Sequence, residues 1–87
     1  MRDNPAQSRY ELDLGGETAF ASYRSAPGVL TIYYTEVPAH LRGQGIGSIL
    51  VRGTLQHIRA GGWKVVPRCG FVAAFIRQNP EFQDLLD

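Results

Sequence analysis

What this chain has little of narrows its class before any motif is considered. It carries one cysteine, Cys69, which excludes an internal disulfide and a cysteine-built zinc knuckle, and with them a stapled secreted scaffold. Two histidines, His40 and His57, are too few for a metal site, so no metal is expected. There is no apolar run of about 18 residues, and the opening MRDNPAQSR lacks a signal-peptide pattern. A soluble, cytosolic protein with no membrane partner is the expectation. Asp and Glu are missing altogether from Val37 to Pro80, a segment that holds Arg42, Arg52, Arg59, Lys64, Arg68 and Arg77 although the whole chain has a net charge of only +1. Such an asymmetry points to an anionic ligand, either a phosphorylated cofactor or nucleic acid. Arg52 and Arg59, taken alone, read equally well as a solvated helix face.

At 87 residues the chain is read as one domain, 1–87, with residues 1–8 a flexible lead-in. A chain of this size buries about 60–65% of the surface it exposes when unfolded, which leaves room for one core and one site. RYELDL, residues 9–14, alternates apolar and polar positions and predicts a half-buried strand. ETAFASYR, residues 17–24, is its antiparallel partner across the Gly15-Gly16 turn. Pro27-Gly28 marks a second turn, and VLTIYYTEV, residues 29–37, reads as a central strand buried on both faces and ended by Pro38. From Ile46 the period changes to about 3.6, predicting a helix pressed into the sheet and stopped at Gly61-Gly62. WKVVP, residues 63–67, is then a strand parallel to the central one through a right-handed crossover. A second helix runs from Gly70 to Asn79, with Phe71, Val72, Phe75 and Ile76 on one face, and Pro80 stops it. One further helical turn is expected in EFQDLLD.

The segment HLRGQGIGSIL, residues 40–50, therefore lies between a strand and a helix and concentrates Gly43, Gly45 and Gly47 at the helix start. Backbone amides there are unpaired donors that favour an anion, and glycines let a phosphate come close. The spacing excludes two phosphate motifs. Gly47 is followed directly by Ser48, without the lysine of a Walker loop, and a dinucleotide fingerprint would need G-x-G-x-x-G and an acid about 20 positions on. What remains is R-x-x-G-x-G, filled by Arg42, Gly45 and Gly47. With TEVP before it, and VVPRC and FVAAFIRQNPEF after it, the chain resembles the GNAT superfamily of N-acetyltransferases, and more closely its short YjdJ-type branch, over residues 9–86.

That resemblance implies an α+β fold: a compact GNAT-like mixed sheet with antiparallel N-terminal strands, a parallel C-terminal strand and two main helices. The helices that longer members carry between their first two strands are lacking. It implies acetyl-CoA as co-substrate, its pyrophosphate held by Arg42, Gly43, Gln44, Gly45, Ile46, Gly47 and Ser48, and its pantetheine along Thr35, Glu36 and Val37. The acceptor would be an exposed amine, on a small molecule or a protein lysine, reached through a shallow site. Acetyl transfer needs a free amine, a stabilised oxyanion and a proton for the departing thiolate. Glu36 is the sole carboxylate between Glu17 and Glu81 and is the candidate base, with a strand-end ion pair as its alternative role. A backbone amide near Val37 is the simplest oxyanion donor. Cys69 precedes a helix and follows Arg68, a setting that lowers a thiol pKa, and is the candidate acid or nucleophile; a small buried hydrophobe is the alternative. It gains weight because many members of the superfamily carry an acidic tyrosine on this helix where Phe75 stands here. His40 could act as a base or touch the phosphate, but a loop histidine is more often solvated. His57, Trp63 and Tyr33 are expected to serve packing. A coenzyme-A-binding module without turnover is the second reading, and nucleic-acid binding a weaker third.

Overall fold

The period-two segments become strands in a computed structural model that describes residues 1–87. They are β1 (Arg2–Asn4), β2 (Arg9–Asp13), β3 (Thr18–Ala26), β4 (Val29–Glu36) and β5 (Lys64–Pro67), paired in that order across one sheet. The first four pair antiparallel, and β5 runs parallel to β4 from Val29↔Lys64 to Ile32↔Pro67. Two helices, α1 (Ile46–Ala60) and α2 (Gly70–Gln78), follow β4 and β5. Pro80–Leu85 is a 3₁₀ segment, after which Leu86 makes a one-residue parallel bridge to Val65. The α+β class, the mixed sheet and the direct turn between β2 and β3 are as expected. No helix is long and apolar enough to cross a membrane.

Three features differ from the reading of the sequence. First, residues 2–4 of the supposed flexible lead-in form edge strand β1, in register Arg2↔Glu11, Asp3↔Tyr10 and Asn4↔Arg9. The cause is electrostatic. Glu11 is buried yet charged, and it is satisfied by Arg2 at 2.5 Å, Arg9 at 2.6 Å and Asn4 at 3.1 Å, while Arg2 also pairs with Asp13. Second, β4 is not buried on both faces. The crossovers β4–α1–β5 and β5–α2–Leu86 step the same way across the sheet, and being right-handed they place both helices on one side. A single core forms there, in which Leu30 and Ile32 meet Leu50, Leu55 and Ile58 of α1 and Val72, Phe75 and Ile76 of α2. Third, β4 carries a bulge. The register passes from Tyr23↔Ile32 to Ser22↔Tyr34, leaving Tyr33 as the extra residue. Tyr33, expected in the core, is 43% exposed with the Arg24 guanidinium 4.8 Å from its ring centre.

The Glu11 cluster makes a pH prediction. The hydrogen bond from Arg9, then that from Asn4, hold its carboxyl below the ordinary value against the opposing effect of burial, with the charges of Arg2 and Arg9 adding to the depression. A carboxylate depressed in the folded state stabilises at pH values above its unfolded pKa, and that stabilisation is lost as pH falls through the folded one. Thermal unfolding followed by circular dichroism should therefore show the wild type losing melting temperature below about pH 4.3. Glu11→Gln should melt lower at pH 7 and show a flatter acid limb; identical profiles would remove the cluster's role.

Candidate functional site

The site begins where β5 stops pairing. Pro67 has no amide hydrogen, and the next two amides, of Arg68 and Cys69, both turn onto the Ile32 carbonyl at 2.9 and 3.0 Å. Strand β4 runs on to Glu36 with no β5 partner beyond Ile32. A cavity of about 400 Å³ opens beside this free edge, lined by Thr35, Val37, Leu41, Arg42, Gly43, Gly45, Ile46, Gly47, Ser48 and Phe71. All but Glu36 and Gln44 of the ten residues expected to hold the cofactor line it. Leu41 and Phe71 are additions. Phe71 shares the helical spacing of the apolar face of α2, yet it is 47% exposed and turns toward the α1 N-terminus. Its spacing in the sequence is that of a core residue, so nothing there separates it from Phe75.

The three glycines have different causes. Gly43 and Gly45 adopt φ of 83° and 78°, in the left-handed region that side chains disfavour, and no atom lies within 4 Å of where a Cβ would stand. Their role is to turn the backbone and leave the space above it clear. Gly47 is helical, and a Cβ there would stand 2.9 Å from Cζ and 3.2 Å from Cε2 of Phe71, so this glycine seats the aromatic ring. Gly45 is the N-cap of α1 and supplies no side-chain cap, and the first turn contains no acid. Because the Ile49 amide is the first to reach back, to Gly45 O at 3.1 Å, the amides of Ile46, Gly47 and Ser48 are left without intrahelical acceptors. These amides and the helix dipole favour an anion, and the clear backbone admits a phosphate. The residues present fit the pyrophosphate of coenzyme A.

Cys69 sits at the N-cap of α2, partly buried against the core on the sheet side that carries the helices, with Sγ 3.4 Å from Thr35 Oγ1. Burial opposes ionisation of the thiol. The Thr35 hydroxyl, with the backbone amides of Val72, Phe71 and Thr35, outweighs it and places the thiol below its ordinary range. Thr35 also lines the cavity, so it joins Cys69 to the loop. Glu36 is placed differently. The bulge puts it opposite Phe20 on the open face of the sheet, where it accepts a hydrogen bond from the Tyr34 hydroxyl and pairs with Arg42 at 3.1 Å. The Tyr34 hydrogen bond first, then Arg42 against partial burial, hold its carboxyl below the ordinary value. The two candidate catalytic residues therefore belong to opposite faces of β4.

The basic segment is not gathered at the site. Arg52 pairs with Glu81 at 3.2 Å and Arg59 with Asp84 at 2.7 Å, tying α1 to the C-terminal 3₁₀ segment, and only Arg42 belongs to the loop. His40 lies 3.2 Å from Glu17, and His57 packs edge-on against Tyr10. No three His, Cys, Asp or Glu side chains gather closely enough to hold a metal ion.

An open strand edge, a glycine-lined turn and a helix N-terminus meeting at one cavity also describe where the chain stands among known proteins. A solution NMR structure of a GCN5-like candidate N-acetyltransferase from Staphylococcus aureus matches with a TM-score of 0.66 and 27% identity, over 79% of this chain and 69% of that one. The model of the family described as GCN5-related N-acetyl-transferase matches residues 9–85, from the first residue of β2 through the 3₁₀ segment. Since that span takes in every strand but the edge strand β1, both helices and the whole loop, the chain is a member of the GCN5-related N-acetyl-transferase family.

Proposed function

We propose that this protein is a cytosolic acetyl-CoA-dependent N-acetyltransferase of the short YjdJ-type branch, acting on an exposed amine, with a protein lysine as the acceptor class. The observation that carries this is the clear backbone at Gly43 and Gly45 beside the uncapped amides of α1, continuous with the free edge of β4 and, through Thr35, with Cys69. Bound acetyl-CoA would supply the acetyl group as a thioester. The amides of Gly43 to Ser48 would hold its pyrophosphate, and Thr35 and Val37 would flank the pantetheine. A backbone amide near Val37 would face the oxyanion. Cys69 would handle either the proton of the departing thiolate or the acetyl group itself. The direct Gly15-Gly16 turn leaves this side uncovered, which favours an acceptor presented on a surface over one enclosed in a pocket.

Calorimetry with coenzyme A tests the reading. Wild type should bind, and Gly45→Trp, which fills the space above a residue at φ 78°, should reduce affinity at least about tenfold while the fold persists by circular dichroism. Absence of wild-type binding would overturn the proposal. One observation favours a binding module without turnover: Phe75 is 93% buried in the core and offers no phenol to the site. A panel of amines incubated with acetyl-CoA decides between the two, because only the enzyme releases free thiol above the no-protein control.

A further inference from the structure

We infer that Glu36 is a positioning residue, whose carboxylate joins the Tyr34 hydroxyl to the Arg42 guanidinium and thereby fixes the arm from which the cofactor loop turns. The inference rests on reading that loop as the coenzyme A site. Its basis is where the bulge sends the side chain. Thr35 is paired with Ala21 on the helix-covered side and touches Cys69, whereas Glu36 and Tyr34 are paired with Phe20 and Ser22 on the open side. Glu36 does not line the cavity. Its two oxygens have separate partners, Oε1 receiving the Tyr34 hydroxyl and Oε2 the Arg42 Nη2 at 3.1 Å.

Arg42 is held at two further points: its Nε donates to Val37 O at 3.1 Å, and its backbone amide donates to Ala39 O at 3.3 Å, closing the 3₁₀ turn Ala39–Leu41. One side chain thus spans from the end of β4 to the residue before Gly43, where the left-handed backbone begins. The other end of the brace is aromatic. The Tyr34 ring lies 6.0 Å from that of Phe20, and the Arg9 guanidinium lies 4.3 Å from the Phe20 ring centre. A continuous line of contacts therefore runs from β2 through β3 and β4 to the loop. A general base would need a free oxygen facing the reacting amine, and a proton affinity suited to an amine whose pKa is about 10.4. Glu36 has neither oxygen free of a partner.

The two roles predict different magnitudes. Loss of a base costs about 10²–10⁴-fold in kcat, whereas loss of a half-exposed ion pair weakens what it supports by about fivefold. Glu36→Ala should raise the coenzyme A dissociation constant, and the KM for acetyl-CoA, about fivefold, with kcat moving less than about threefold. Glu36→Gln, which can still bond both partners, should recover most of the affinity. A second readout needs no ligand. In the free protein, hydrogen exchange of the Leu41 and Arg42 amides, which donate to Pro38 O and Ala39 O, and of the Arg42 Nε–H, should quicken in Glu36→Ala and return toward wild type in Glu36→Gln. Unchanged exchange in Glu36→Ala would overturn the inference, as would a fall of about 100-fold or more in kcat for Glu36→Gln at unchanged coenzyme A affinity. Failure of the wild type to bind coenzyme A would instead overturn the cofactor reading, and the exchange measurement would still decide whether the brace exists.

Discussion

Cys69→Ala is expected to lower acetyl transfer by about 10²–10⁴-fold while coenzyme A affinity stays within about threefold of wild type. The thiol does not line the loop cavity itself and meets it through Thr35 at 3.4 Å, so its removal should leave pyrophosphate binding intact and affect the chemical step. The lowered pKa separates its two roles by sign. A proton donor needs the thiol form, so the rate would fall as pH rises through that pKa; a nucleophile needs the thiolate, so the rate would rise through it. In the nucleophilic case the Cys69 Sγ–acetyl bond would form as the thioester C–S bond breaks and coenzyme A leaves as its thiolate; the amine would then take the acetyl group, releasing the Cys69 thiolate and giving its proton to solvent. Intact mass spectrometry of enzyme quenched with acetyl-CoA and no amine would detect an acetyl adduct in that case alone. Thr35→Val should move either pH limb upward, because it removes the strongest of the contacts that lower the thiol pKa. Full activity in Cys69→Ala, with binding retained, would remove Cys69 from the chemistry.

Ile32→Ala is expected to be the most damaging core truncation for both stability and site. Ile32 is completely buried, stands opposite Tyr23 on one side and Pro67 on the other, and its carbonyl receives the amides of Arg68 and Cys69. Removing a buried isoleucine to alanine costs about 2–5 kcal/mol. A domain of this length has roughly 4–13 kcal/mol in total, and each kcal/mol is worth about 4–8 °C in melting temperature, so the loss is a large fraction of the whole. Urea denaturation should show the midpoint falling with an unchanged slope. Ile32→Val, which keeps the branch, should lose only about 0.5–1.5 kcal/mol. Because Ile32 also seats the backbone of Cys69, the alanine variant should lose more activity at 25 °C than its folded fraction accounts for. Activity proportional to folded fraction would show that the Ile32 carbonyl keeps its place, and Cys69 with it, without the isoleucine side chain.

Much of this architecture is legible in the residue pattern because the causes are local. Alternation in RYELDL and the run VLTIYYTEV, the change of period at Ile46 and the stops at Gly61-Gly62 and Pro80 each act within a few residues, and the elements lie within two residues of where those signals place them. The glycine-lined turn into α1 is legible for the same reason, since R-x-x-G-x-G is a contiguous motif. Phe71 was not, because its exposure depends on how α2 meets the start of α1, a contact between residues 24 positions apart that Gly47 makes room for. Strand β1 was missed because three polar residues form a strand only once the buried Glu11 offers Arg2 a partner.

The sequence by itself determined the order of the elements through periodicity and spacing along the chain, and through its resemblance to a family it implied the α+β class and the loop that would receive a phosphate. Only the tertiary structure decided which way the end of β4 faces. Strict alternation from Leu30 and Ile32 would carry Tyr34 and Glu36 to the core side and Thr35 away from it. The extra residue Tyr33 reverses that parity, sending Thr35 to Cys69 and Glu36 to Arg42. A bulge is a mismatch in count between two paired strands, so it exists in the pairing of β3 with β4 and in neither strand alone.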